Sequence, residues 1–109
     1  MAVAWVQEFA IGDRTTTNYD FMSDKIGEGP FDGLMTHTAG FDDEAGVFRI
    51  FDIWESKEQA QQFIEEHLQP WLGQGPGAFP NPDNFVPPSK DEFIELHNVI
   101  HPAIATANR

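Results

Sequence analysis

Residues 47–72 read VFRIFDIWESKEQAQQFIEEHLQPWL, and two patterns meet there. Val47 to Trp54 alternates as a strand, yet both of its faces are bulky. Val47, Arg49, Phe51 and Ile53 fall on one face, and Phe48, Ile50, Asp52 and Trp54 on the other. Ser56 and Gln59 then form an S-x-x-Q capping box, the start signal of a helix. Ala60, Phe63, Ile64 and Leu68 follow as its apolar stripe. Pro70 is expected to limit that helix, because proline disfavours helical geometry in the residue before it. A strand that is apolar on both sides needs cover on both sides. A chain of 109 residues builds one core and supplies one layer of helices, so the second cover is expected from another copy.

Upstream, Ala2 to Ala10 alternates as a first strand, with Val3, Trp5, Gln7 and Phe9 on one face. Gly12-Asp13 breaks it. Thr15, Thr16 and Thr17 offer N-cap hydroxyls for a helix through about Ile26, striped by Tyr19, Met22 and Ile26, with Gly27 as its stop. Leu34 to Ala39 reads as the second strand, and Gly40 to Gly46 as an acidic hairpin loop.

Downstream, Gly73 to Pro88 is irregular, with five prolines and three glycines in sixteen residues. Phe79, Phe85 and Val86 distinguish it from a polar flexible linker, so both an ordered flap and a loose loop are open readings. Glu92 to Ile100 is expected as the fourth strand, and the tail after Pro102 as frayed.

The order strand, helix, strand, strand, helix, strand is the ferredoxin-like βαββαβ arrangement. It predicts one α+β domain over residues 1–109, a four-stranded antiparallel sheet with two helices on one face. Such a sheet can leave its other face to water only if that face is polar. Leaving several large apolar side chains wet forfeits roughly 1.5–3 kcal/mol apiece, so the expectation is a homodimer packed through its sheets.

Eighteen acidic against six basic residues give a formal net charge of −12. The six basic residues are scattered, which argues against nucleic acid and anionic lipid as partners. Cysteine is absent, which removes disulfides and thiolate chemistry. No apolar run reaches the length of a membrane span, and MAVAWVQEFA does not read as a signal peptide, so a cytoplasmic location is expected.

GLMTHTAG (33–40), FRIFDIWES (48–56), FIEEHLQPWL (63–72) and IELHNVI (94–100) together resemble the antibiotic biosynthesis monooxygenase-like, dimeric α+β barrel proteins. The resemblance spans about Ala2 to Ile100, less the Pro/Gly loop, and its most specific element is the Trp54-Glu55-Ser56 joint. It implies two ferredoxin-like subunits with facing sheets, and a pocket in each between sheet and helices or loops. The implied activities are cofactor-independent monooxygenation, haem degradation, cyclisation and isomerisation. Haem-degrading members combine an Asn on the first strand, a Trp on the third and a His on the second helix. Here Trp54 is present, the first strand lacks Asn, and His67 falls later after the Trp.

His37 and His97 are the candidate proton acceptors, since imidazole titrates near neutrality. Both are expected mid-strand, on opposite edges of the sheet, and could serve one cavity across a dimer interface. The plainer reading of each is a buried, hydrogen-bonded structural histidine. Asp52, among Phe48, Ile50 and Trp54, must be paired, protonated or functional. Trp5, Gln7, Trp54, Phe79 and Phe85 are candidate contacts for a small, flat, apolar aromatic ligand, although the aromatic residues also fit a core role. Arg49 is expected to pair with an acid. His97 and His101 stand four apart, a helical metal spacing on sequence that is not helical, so no metal site is assigned and no cofactor is expected. The functional expectation is a small-molecule enzyme acting by proton abstraction on an aromatic or polyketide-like substrate, whether by oxygenation or by cyclisation or isomerisation. Its rival is a non-catalytic ligand-binding or stress-responsive dimer.

Overall fold

The computed structural model of the chain describes residues 1–11 and 13–100. Gly12, His101 and the tail from Pro102 lie outside the described residues, and with them the expected break, the metal-spaced histidine pair and the fraying. The order is β1 (Val3–Phe9), α1 (Thr17–Ile26), β2 (Leu34–Asp42), β3 (Val47–Trp54), α2 (Lys57–Phe63), a π-helical segment (Ile64–Leu68), α3 (Gln69–Leu72) and β4 (Lys90–Glu95). Two short 3₁₀ turns, Pro76–Ala78 and Pro82–Asn84, lie between α3 and β4. The four strands form one antiparallel sheet in the order β2-β3-β1-β4, the ferredoxin-like α+β arrangement. No helix among the described residues is long and apolar enough to cross a membrane.

Register sorts the side chains onto two faces, because partners directly opposite in a ladder point the same way. Trp54 pairs with Val3 and Leu34, and all three pack with Ala60 of α2 in the main core. Phe31, Phe63, Ile64, Leu68 and Phe93 close around them. Trp54 is fully buried. The even-numbered side of β3 is therefore the helix side. On the other side, Ala4 lies between Ile53 and Ile94, and Val6 between Phe51 and Glu92. Ile94 is 44% exposed there. Arg49 sits farther along the same face, its Nε donating to Glu8 Oε2 at 2.8 Å and its Nη1 to Asp42 Oδ2 at 2.9 Å. The apolar part of the open face is thus narrower than its sequence suggests. Threonines 36 and 38 border it on β2, and an ion network ends it.

A bulge at the start of β2 decides where His37 points. Leu34 opposes Trp54 while Thr36 opposes Ile53, so Met35 is the extra residue. Plain alternation would put Leu34 and His37, three apart, on opposite faces. The bulge restores both to the helix side, a common use of bulges beside functional side chains. Just upstream, Gly33 has φ +87° and its carbonyl accepts from Glu55 N at 2.7 Å. A Cβ at Gly33 would stand 2.5 Å from the Gln59 side chain, so the residue must be glycine for conformation and for space.

Four boundaries differ from expectation. β2 continues through Gly40 and Phe41 to Asp42, because Phe41 packs on Phe48 and the turn tightens to residues 43–46, closed by Gly46 N donating to Asp42 O at 2.9 Å. β4 begins at Lys90 and ends at Glu95 instead of Ile100. It pairs only with β1, and β1 runs out: Glu95 opposes Val3, and Leu96 N makes a last bond to Ala2 O at 2.9 Å. Pro70 does not end the helix. The chain stays helical through the π-helical turn and on into α3, and the wider turn just before Pro70 accommodates a proline that an unbroken α-helix would not. Thr16 takes the N-cap position of α1 but makes no side-chain capping bond, its hydroxyl donating to Asp20 Oδ2 at 2.8 Å instead. The Ser56 cap does form, with Gln59 N donating to Ser56 Oγ at 3.2 Å.

The Pro/Gly segment packs along α1. Phe79, 6% exposed, lies against Phe21 and Phe85. Asn81 N donates to Asn18 Oδ1 at 3.0 Å, and Asn18 Nδ2 donates back to Asn81 O at 2.9 Å.

Candidate functional site

One register row crosses the whole sheet on the helix side: His37 on β2, Asp52 on β3, Trp5 on β1 and Phe93 on β4. Asp52 is 3% exposed, flanked along β3 on that face by Ile50 and Trp54 and across it by Trp5. A carboxylate so placed must be partnered. Its partner is His37, whose Nδ1 lies 2.6 Å from Asp52 Oδ1. The His37 side chain itself is 42% exposed, so the pair runs from the interior to the rim of the sheet. On the outer side, the Tyr19 hydroxyl of α1 lies 2.5 Å from His37 Nε2. The two rings are nearly parallel, 5° apart in plane.

The protonation chemistry follows from this order. The hydrogen bond to Asp52 raises the His37 pKa above its ordinary value of 6.5; burial opposes this and the Asp52 charge adds to it. Tyr19 is raised as well, first by burial and then by the charges of Asp52 and Asp20, so it stays a phenol. With neutral His37, Nδ1–H donates to Asp52, which leaves Nε2 as the acceptor of the Tyr19 hydroxyl. With charged His37 both ring N–H groups donate. Either state keeps both hydrogen bonds, so a proton can be taken up at Nε2 without rearrangement of the group that holds it. This is the geometry of a general base oriented by a carboxylate.

The other sequence candidates separate. Trp5 is 4% exposed and belongs to the core; it stacks on Phe93, and its Nε1 donates to Asp91 Oδ1 at 2.6 Å. Trp54 is core beside Phe63, and its Nε1 has no hydrogen-bond partner among the described residues. Gln7 is half-buried in the next row, between Ile50 and Asp91. Phe79 and Phe85 pack under the Pro/Gly segment. His97 is the clear departure. It lies past the end of β4, exposed, rather than mid-strand, and the opposite edge of the sheet separates it from His37. His37 also faces α1, so a hollow enclosed against the open face would not contain it. The half-exposed His67 packs against both Phe31 and Phe63, which also touch each other.

Two open recesses mark the helix side away from His37. One, about 350 Å³, is lined by Met1, Val3, Lys57, Glu58, Phe93 and Glu95. A smaller one, about 110 Å³, includes Phe31, Gln59, Phe63 and His67. Among the described residues no group of three or more His, Asp or Glu side chains is arranged to hold a metal ion.

Tyr19 joins the site although its helical spacing with Met22 and Ile26 marks it only as part of an apolar stripe. The available signal was composition: it is the sole tyrosine of the chain, and it falls on the sheet-facing side of α1. The chain matches no protein-family model, and no curated protein matches it.

Proposed function

We propose that this chain is a small-molecule enzyme in which His37 takes a proton from a phenolic or enolic hydroxyl of a flat aromatic or polyketide-like substrate. Asp52 orients the imidazole and stabilises its charged form. The observation that carries the reading is the hydrogen-bonded series Asp52–His37–Tyr19, rising from the sheet interior to a half-exposed rim. The sequence resemblance to the antibiotic biosynthesis monooxygenase-like proteins supports the same class. In the oxygenation branch the substrate anion supplies the electrons, one oxygen atom of dioxygen enters the product and the other leaves as water, so no bound cofactor is needed. In the cyclisation or isomerisation branch the anion attacks, or is reprotonated at, a carbon. The open sheet face, where Phe51, Ile53 and the exposed Ile94 surround the already buried Ala4 and Val6, is read as the surface that a second copy covers, in a cytoplasmic homodimer.

The second reading is a non-catalytic ligand-binding or stress-responsive dimer. It is favoured by the fact that both ring nitrogens of His37 already have partners within the chain. A panel of hydroxylated aromatic and polyketide-like compounds, followed by mass spectrometry with and without oxygen, separates the two. The enzyme reading expects one or more compounds to be converted by the wild type and at least 100-fold more slowly by His37→Gln that a melting curve shows to be folded. Conversion by neither protein supports the second reading, and equal conversion by both removes His37 as the proton acceptor.

A further inference from the structure

Tyr19 fills a slot of definite shape. Its ring reaches His37 at one end and Phe48 at the other, edge-on at 5.3 Å between centroids. On the sheet these two contacts lie in alternate register rows, His37–Asp52 and Phe41–Phe48. The row between them, Ala39 and Ile50, is apolar, with the smallest side chain nearest the rim. The place Tyr19 occupies is therefore bounded by an aromatic ring on one side and by one polar end, along a row whose side chains are apolar. That end is an imidazole nitrogen whose hydrogen-bonding role a buried carboxylate sets.

We propose that Tyr19 is an internal stand-in for the ligand, and that the slot it fills is a subsite for a planar aromatic ring bearing a single acidic hydroxyl. The ligand's hydroxyl replaces that of Tyr19 on His37 Nε2, and its ring replaces the Tyr19 ring beside Phe48. This rests on the reading of His37 as the proton acceptor, and it names what that acceptor meets.

The element that carries Tyr19 can release it. α1 has no buried residue, and its N-cap makes no side-chain bond. Two glycines with positive φ, Gly27 at 82° and Gly29 at 88°, follow it. Its other holds are Phe21 on Trp71 and Phe79, and the reciprocal Asn18–Asn81 pair, all on the Pro/Gly side. Withdrawing Tyr19 breaks one hydrogen bond and two ring contacts, on His37 and Phe48, while the Val3–Trp5–Trp54–Ala60 cluster under α2 does not involve it. The raised Tyr19 pKa agrees: the residue is a poor proton donor to solvent, and a more acidic phenol would give up its proton to Nε2 more readily.

The test uses the full chain and 4-nitrophenol, whose absorbance reports its ionisation. Binding is compared in wild type, Tyr19→Phe, Tyr19→Ala and His37→Gln, with ¹⁵N shifts of the His37 ring followed in parallel and a melting curve for each protein. Tyr19→Phe removes only the competing hydroxyl and should bind roughly 3- to 10-fold tighter than wild type, the value of one neutral hydrogen bond. Tyr19→Ala also empties the slot and should bind at least as tightly as Tyr19→Phe. In each folded Tyr19 variant the probe should move the Nε2 shift, and His37→Gln should abolish binding. Binding that weakens or is unchanged in both Tyr19 variants, or that leaves the Nε2 shift where it was, overturns the proposal. Tighter binding at Nε2 with no compound of the panel turned over removes the enzyme reading and leaves the subsite standing. A substrate turned over by wild type but lost in Tyr19→Phe at unchanged KM makes Tyr19 part of the proton path, and overturns the stand-in while keeping the enzyme.

Discussion

Asp52 Oδ1 and His37 Nδ1 stand 2.6 Å apart in one register row, the carboxylate almost sealed and the imidazole nearly half open. The pair converts a buried acidic group, which would be costly alone, into a fixed orientation for a titrating ring at the sheet edge. It also gives the fold a pH dependence of definite sign.

Because the Asp52 bond raises the His37 pKa above 6.5, the folded chain holds this proton in a range where the unfolded chain has released it. The stabilisation is fully present below the unfolded value and is lost as pH rises through the folded one. Urea midpoints measured from about pH 5 to about pH 9 should fall across that window in wild type. The corresponding fall should be smaller in His37→Gln, which cannot titrate there. No direct energy is assigned to so exposed a ring, whose interactions are screened by water.

Gly33→Ala should destabilise the chain by about 1–3 kcal/mol, through strain at positive φ and the clash with Gln59. Chemical denaturation measures it. Gly40→Ala, where a Cβ meets nothing within 4 Å, is the matched control and should change stability by less than about 0.5 kcal/mol.

Phe51→Glu places a charge in the middle of the open face, opposite Val6 and Thr38. If a second copy covers that face, wild type should sediment at twice the chain mass and Phe51→Glu at the chain mass, at micromolar concentration. A monomeric wild type contradicts the dimer.

Much of this was readable from residues alone. The two-faced pattern of Val47–Trp54 and the S-x-x-Q cap at Ser56 are local signals, and they fixed the strand-to-helix joint at the middle of the fold. Asp52 stood out because a carboxylate among Phe48, Ile50 and Trp54 is anomalous at any register. What could not be read depends on pairing between distant segments. The end of β4 is set by where β1 stops, so His97 lost the strand position its alternation suggested. The bulge at Met35 leaves no mark in composition, yet it alone turns His37 toward Asp52. Tyr19 joins the site because α1 crosses that edge of the sheet, a relationship no spacing within residues 15–27 encodes.

Whether Asp52 governs the His37 imidazole is read by an NMR titration of the His37 ring nitrogens in wild type and in Asp52→Asn. The wild-type pKa should lie above the ordinary imidazole value, with Nδ1 protonated in the neutral form, and should fall clearly in Asp52→Asn once the hydrogen bond and the charge that raise it are gone. An ordinary wild-type value that Asp52→Asn leaves in place would mean that the carboxylate does not govern the imidazole, and the proton-accepting site built on the pair would be contradicted.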